Sequence, residues 1–385
     1  MIAFLVLVKC LAALSGPVWG DLVNWAGIGD NAVRYLTIGR LPPVGVSGIY
    51  WPMGFVIAPF VWAWMRMPIE HPQFDTLLFS NSTSALCLRI MLQIPTATAD
   101  MATAVLVSKL VQKTTGSLTG GRLASIIWLG NPLNILSINY MGMMDVIPTS
   151  VFVLAVYLAS RSKQFRSGLT LSLAALLRVF PIVTFPFLLI GCQRRSPPRM
   201  RLIAGVLVPF ALGLTLMYSY GLGSLASIFA LPSRQYWLLD FLGVQVKSLG
   251  IRLGFLLVST QFFICMLYWR KHNLVHLAAV PLLALFLGAL PYGGDLNHSI
   301  WVTPLLTVSL VLSFDEIWIF VLLYSSLAVE SFYGVQPIDT LLWAALYAFR
   351  AVYLLKINLE EIDLSRNPST SPSIQEPQVN VSKMG

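Results

Sequence analysis

The chain of 385 residues is strongly apolar: hydrophobic residues make up 57% of it, charged residues make up 11%, and its mean hydropathy is +0.76. A soluble domain carries roughly a quarter charged residues, so the composition excludes a soluble protein and predicts an integral membrane protein with several spans. The formal net charge of +9 does not indicate a nucleic-acid-binding protein, because the bases stand in short clusters between apolar runs and form no stripe with interleaved aromatic residues.

Each apolar run is predicted to be a helix, since a backbone in lipid must satisfy its own hydrogen bonds. The first run has no basic region ahead of it and is interpreted as an uncleaved spanning helix, not as a signal peptide. The clear spans are 1–20, 46–65, 122–141, 145–161, 199–220, 249–269, 274–291, 300–314, 316–334 and 338–356.

Two further apolar stretches are interrupted. Residues 83–111 contain Pro95 and Asp100, and one long helix would bury an acid beside a helix-breaking proline, so two short helices with Asp100 in a tight outer loop are predicted. Residues 168–192 contain Arg178 and two prolines, which predicts two half-helices with the arginine near the break. The predicted fold class is therefore an all-α polytopic transmembrane helix bundle of about 12–14 crossings, with an interfacial helix in the first outer loop.

The bases then gather on one side, which the positive-inside rule identifies as cytoplasmic. Residues 1–357 are predicted to form one membrane domain, and the polar, Pro/Ser-rich residues 358–385 a disordered cytoplasmic tail. The bases on the cytoplasmic side include Arg66, Lys109, Lys113, Arg122, Arg161, Lys163, Arg166, Arg194, Arg195, Arg199 and Arg201.

The polar stretch from Gly29 to Pro52, GDNAVRYLTIGRLPPVGVSGIYWP, brings acids, bases and aromatic residues into one outer loop. It includes Asp30, Arg34, Tyr35 and Tyr50. Charge near hydrocarbon is costly and persists mainly where it is functional, so this loop is interpreted as the floor of an active site with Asp30 as its main acid. The alternative role of Asp30 is the N-cap of a short interfacial helix.

Five further residues are candidates for the same outer face: Asp100, Asp145, Arg178, Arg234 and His298. Asp100 and Asp145 have helix N-caps as their alternative role, and His298 has a turn before a helix. Arg178 lies inside an apolar run, where it is expected to face a polar cavity and offer a forked donor to a phosphate. The aspartates have no spacing diagnostic of an oxygen-ligated metal, so no metal site is assigned and a divalent cation stays open as a cofactor.

Four motifs in this order resemble those of the C-type membrane glycosyltransferases, and most of all the GPI mannosyltransferase I branch of that superfamily. They are GDN to YWP at 29–52, IPTATADM at 94–101, WLGNPLNILSINYMGMMD at 128–145 and LRVFPIVTFPFLL at 177–189. The resemblance covers roughly the first 190 residues. The chain departs from the family where GDN replaces Asp-x-Asp and YWP replaces Tyr-Pro-Pro.

The resemblance implies an inverting hexosyltransferase. Such an enzyme transfers a sugar such as mannose from a polyprenyl- or dolichyl-phosphate donor to a lipid-linked or glycan acceptor on the extracytoplasmic or luminal face. Asp30 would be the general base, and Arg178, Arg34 and Arg234 would donate hydrogen bonds to the leaving phosphate. The membrane would be the plasma membrane or that of the endoplasmic reticulum, and neither nucleic acid nor a nucleotide is expected as a partner.

Two other classes stay open on the sequence. A transporter or flippase also buries arginine and aspartate in broken helices, although it would centre them at the midplane and often shows an internal repeat. A non-catalytic membrane subunit that assembles with a partner enzyme is the other alternative.

Overall fold

The computed structural model describes residues 1–16, 20–38, 51–77, 80, 82–178, 180–191, 196–219 and 299–312. These residues are helical and contain no strand, so the predicted all-α membrane helix bundle is confirmed. Within them, the helix Thr83–Thr115 is long and apolar enough to cross a membrane, and several apolar helices are shorter. The spans predicted at 249–269, 274–291, 316–334 and 338–356, and the predicted tail at 358–385, lie outside the described residues.

The first described helices are α1 (Ile2–Ser15), α2 (Gly20–Thr37) and α3 (Trp51–Met65). Helices α2 and α3 pack antiparallel at very short range, because Gly29 of α2 lies against Val61 and Gly54 of α3 lies against Ala32. Trp64, near the end of α3, donates a hydrogen bond from Nε1 to the backbone oxygen of Ser84, at 3.0 Å. The α2–α3 pair therefore returns to the point where the next helix begins.

That next helix, α4 (Thr83–Thr115), is continuous over 33 residues, or roughly 50 Å at the usual rise per residue. The predicted break at Asp100 is wrong. Pro95 lies inside the helix, and the Asp100 carboxylate is paired with Lys9 of α1 at 2.7 Å, which removes the cost of burying an isolated charge.

Helix α5 (Leu118–Gly130) returns along α4, with Ser125 Oγ donating to the Ala104 backbone oxygen at 2.9 Å. The predicted span 122–141 is present but broken: after the short helical stretch Pro132–Asn134, the chain forms a π-helical turn at Ile135–Tyr140. Gly142, with φ of 76°, then reverses the chain.

The remaining helices are α6 (Val146–Ser160), α7 (Gln164–Leu177), α8 (Phe185–Gly191), α9 (Ser196–Ser219) and α10 (Ser299–Leu312). The break predicted at Arg178 is confirmed, since α7 ends at Leu177, Arg178 is extended, and a 3-10 turn at Phe180–Thr184 leads into α8. Helix α9 packs along α7, and α10 packs against α4, α5 and α6.

The helix ends define two sides of the bundle. The turn between α4 and α5, the turn between α6 and α7 and the start of α9 share one side, which carries the exposed bases of those turns. The positive-inside rule predicts that this side is cytoplasmic. The starts of α4, α6 and α10 share the other side. Arg66 directly follows α3 on that other side, so the prediction that it shares a side with Lys109 and Lys113 is wrong.

Candidate functional site

Lys9 and Asp100 form a buried ion pair between α1 and α4, with Nζ and Oδ2 at 2.7 Å and side chains 2% and 0% exposed. Lys9 also donates to Asn139 Oδ1 at 3.2 Å, and Trp128 Nε1 donates to Asp100 Oδ1 at 2.8 Å. Both carboxylate oxygens therefore accept hydrogen bonds. The interactions join α1, α4, α5 and the π-helical turn through one polar centre.

Arg89 forms a second polar centre closer to the start of α4, where its side chain is buried. Its Nε donates to the Ala13 backbone oxygen, and its Nη2 donates to the oxygens of Asn139 at 3.1 Å and Tyr140 at 2.5 Å. Gln93 adds a hydrogen bond to the Asn139 oxygen at 2.8 Å. Helix ends leave carbonyls without intrahelical partners, and these side chains satisfy such carbonyls at the end of α1 and in the π-helical turn.

Asp145 and Arg178 lie at the side of the bundle where α4, α6 and α10 begin, with Oδ1 and Nε at 2.8 Å. Trp301 of α10 donates from Nε1 to Asp145 Oδ2 at 3.0 Å. Phe180 stacks on Trp301, with ring centroids 4.3 Å apart, and the guanidinium carbon of Arg178 lies 5.4 Å from the centroid of a Trp25 ring. These five residues, the Asp145–Arg178 cluster, bring α2, α6, α10 and the break after α7 together.

The two charged residues of the Asp145–Arg178 cluster differ in exposure. The Asp145 side chain is 5% exposed and that of Arg178 is 24% exposed. The buried carboxylate holds the guanidinium, which lies near a Trp25 ring on a partly exposed side chain. A planar guanidinium binds phosphate and carboxylate groups in a forked geometry, and aromatic faces bind cations and apolar surfaces. The cluster is thus suited to an anionic headgroup at the membrane surface.

Asp30 and Arg34 pair within α2, with Oδ2 and Nε at 2.8 Å. Asp30 lies well inside the helix, so the N-cap role is wrong. Its side chain is 8% exposed and that of Arg34 is 70% exposed, while Oδ1 of Asp30 is buried and accepts no hydrogen bond. Tyr35, the next residue in α2, is half-buried.

Among the described residues, the acids predicted for the site form three separate ion pairs, Asp30–Arg34, Lys9–Asp100 and Asp145–Arg178. Trp25 is the link between two of them, because it belongs to the same helix as Asp30 and lies beside Arg178. Within the described ranges, no group of three His, Cys, Asp or Glu residues could hold a metal ion. The candidates that lie outside the described residues are Tyr50, Arg234 and His298.

Lys9 and Arg89 were not among the predicted site residues, although both hold the bundle together. The signal was present in the sequence. Each is a base within an apolar run, which is the same feature that identified Arg178. The aromatic partners Trp25, Trp128 and Trp301 carried no such signal, because tryptophan is common in apolar membrane segments.

In the comparison with protein families, the model for the GPI transamidase subunit PIG-U matches residues 72–252, a little under half of the chain. The matched stretch contains α4 through α9, and with them Arg89, Asp100, Asp145 and Arg178. No curated protein and no solved structure matches the chain.

This match corrects the predicted activity. The prediction of a mannosyltransferase that uses a polyprenyl- or dolichyl-phosphate sugar is wrong, because the matching family is a transamidase subunit. Of the resemblance, only the link to the GPI pathway is retained. The structure gives a second reason for the acids in the motifs that suggested a glycosyltransferase. Asp100 and Asp145, the acids of two of the motifs, form ion pairs with bases of neighbouring segments. An acid in an apolar motif can therefore indicate helix packing as well as catalysis.

Proposed function

We propose that this chain is a non-catalytic membrane subunit of a GPI transamidase in the endoplasmic reticulum membrane. The observation that carries the proposal is the match of residues 72–252 to the family of that subunit. A GPI anchor replaces the C-terminal hydrophobic tail of a precursor protein. The partners under this proposal are the other transamidase subunits, the precursor and the GPI lipid.

The ion pairs support a non-catalytic role. A general base must be free to accept a proton, and a nucleophile must be free to attack the substrate. Asp100 instead accepts from Lys9 and Trp128, and Asp145 accepts from Arg178 and Trp301. Carboxylates held in this way keep helices in place and orient neighbouring cations.

The Asp145–Arg178 cluster is the part of the described chain best suited to meet the GPI lipid. It lies at the predicted non-cytoplasmic side, where Arg178 lies near a Trp25 ring and Phe180 stacks on Trp301. Asp145 holds the guanidinium through Nε. A phosphate of the glycolipid headgroup would add charge-assisted hydrogen bonds to that guanidinium.

The experiment is depletion of the chain in its own cells, with a reporter precursor that carries a GPI-attachment signal. We expect the reporter to keep its hydrophobic tail while complete, fully mannosylated GPI lipid accumulates. The tagged chain should also co-purify with the other transamidase subunits in mild detergent. A GPI lipid that lacks a mannose would identify a sugar transferase, and normal anchoring of the reporter would remove the chain from the pathway.

A further inference from the structure

A cavity of about 550 Å³ opens at the cytoplasmic side, between the turn that joins α6 to α7 and the first turn of α9. Three basic residues, Lys163, Arg166 and Arg201, are among the residues that line it, and none of the described lining residues is acidic. Within the described part of the chain, none of the three bases forms an ion pair. The described lining residues therefore give the cavity a net positive charge.

The backbone adds to this charge. Helices α7 and α9 run parallel, since Gly168 lies against the α9 backbone at Gly205 and Leu176 lies against Gly213 farther along. Their N-termini thus lie side by side at the cavity. A helix N-terminus carries a partial positive charge and unpaired N–H groups, and Lys163, the N-cap of α7, makes no side-chain capping hydrogen bond.

An exposed apolar surface begins at the cavity and follows the same helices towards the membrane interior. On α7, Phe165, Leu169 and Leu173 are exposed, and on α9, Val208 and Leu212 are exposed. Residues four apart share one face of a helix, so each set forms a stripe that faces lipid. The positive cavity is therefore the polar end of a surface that lipid tails cover.

From this juxtaposition we propose that the cavity binds the phosphate of an anionic phospholipid headgroup in the cytoplasmic leaflet, with the acyl chains lying along the stripes of α7 and α9. Basic pockets between membrane helices on the cytoplasmic side recognise such headgroups. A soluble anion matches the three bases but leaves the apolar stripes unused, which favours a lipid. The proposal does not depend on the transamidase assignment, and the site is at the opposite side from the Asp145–Arg178 cluster.

The test uses the full-length chain, purified in neutral detergent with the subunits that co-purify. Its ligand is a phosphatidylinositol phosphate with a fluorescent label on an acyl chain, and labelled phosphatidylcholine is the neutral comparison. The variant is Lys163→Gln, Arg166→Gln and Arg201→Gln together. The matched control is Lys109→Gln, Lys113→Gln and Arg122→Gln together, which removes the same charge from exposed positions on the same side but outside the cavity.

We expect the wild-type chain to bind the anionic lipid at least about tenfold more tightly than the neutral lipid. Each base near an anionic surface contributes about a fivefold change in affinity, so the cavity variant should bind on the order of 100-fold more weakly. The control should stay within about threefold of wild type. If the triple variant does not fold, Arg201→Gln alone should weaken binding about fivefold and Arg166→Lys should change it little.

Three results would overturn the proposal. Equal losses in the cavity variant and the control would show attraction to surface charge without a site. Displacement of the labelled lipid by inorganic phosphate at the same concentration would assign the cavity to a free anion. Preference for an acidic peptide over the lipid, with the same dependence on the three bases, would assign the cavity to a partner protein.

Discussion

Asp100 is stable in the middle of a membrane helix because Lys9 neutralises it. The two side chains are 2.7 Å apart and almost completely buried. Replacing one partner of such a pair leaves an uncompensated charge, which is more costly than replacing both. The pair therefore makes the docking of α1 depend on a residue that is distant in sequence.

Lys9→Met should lower the free energy of unfolding by roughly 3–5 kcal/mol, measured as the loss of folded chain during thermal denaturation in detergent. Lys9→Met combined with Asp100→Asn should recover most of that loss, because no isolated charge remains and the Trp128 N–H keeps an acceptor. A single variant as stable as wild type would show that the ion pair does not hold α1.

Arg178→Gln should lower processing of a GPI-signal reporter at least about tenfold, because the variant keeps a hydrogen-bond donor for Asp145 but loses the charge that would bind a phosphate. Arg178→Lys keeps the charge but lacks the forked geometry of the guanidinium, so it should give an intermediate loss of reporter processing. Arg34→Gln is the control, since Arg34 is also a base but is 70% exposed on α2. Equal effects of Arg178→Gln and Arg34→Gln would contradict a specific role of the cluster.

The contact between α7 and α9 depends on two glycines. A Cβ on Gly168 would meet the Leu202 oxygen and lie 2.9 Å from the Val206 nitrogen, and a Cβ on Gly205 would meet the Phe165 oxygen. Backbone atoms cannot move aside as a side chain can, so the helices would have to separate. Close backbone approach through small residues is the usual way membrane helices associate.

Gly168→Ala and Gly205→Ala should each cost about 1–3 kcal/mol through overpacking, seen as a lower melting temperature. Gly213→Ala is the control on the same interface, because its Cβ would meet only the end of the Leu176 side chain, which can rotate away. If all three variants melt alike, the close backbone contact is not what holds the helices together.

The two interrupted stretches differ in how far their sequence predicts them. The break at Arg178 follows from nearby prolines and a base, so local information was sufficient. The continuity of α4 depends on Lys9, 91 residues away, and no pattern within residues 83–111 could show that partner. The same holds for the Asp145–Arg178 cluster. Asp145 and Arg178 were candidates for the outer face, but their pairing and the contributions of Trp25 and Trp301 depend on packing between distant segments.

Two errors in the predicted topology cancel in the whole bundle. The sequence predicted one crossing at 46–65 and two within 83–111, whereas the α2–α3 pair returns to its starting side and α4 crosses once. Counted from the start of α1, both arrangements contain an even number of crossings up to the end of α4. The later turns therefore keep their predicted sides, and only the segment from Arg66 to the start of α4 changes side.

A labelling experiment separates the two topologies, because they disagree at Gln73 and agree at Lys113. In a chain whose natural cysteines are replaced by serine, Gln73→Cys should react with a membrane-impermeant maleimide only after sealed microsomes are permeabilised. His71 and Phe74 pack on Trp64, beside the start of α4, at 4.7 and 5.6 Å between ring centroids. We therefore expect Gln73 to share the side of the α4 start, which is luminal under the proposed function. Lys113→Cys is the control, as it is exposed near the other end of α4 and should react without permeabilisation. Labelling of both variants in sealed microsomes would place the two ends of α4 on one side and restore the predicted break at Asp100.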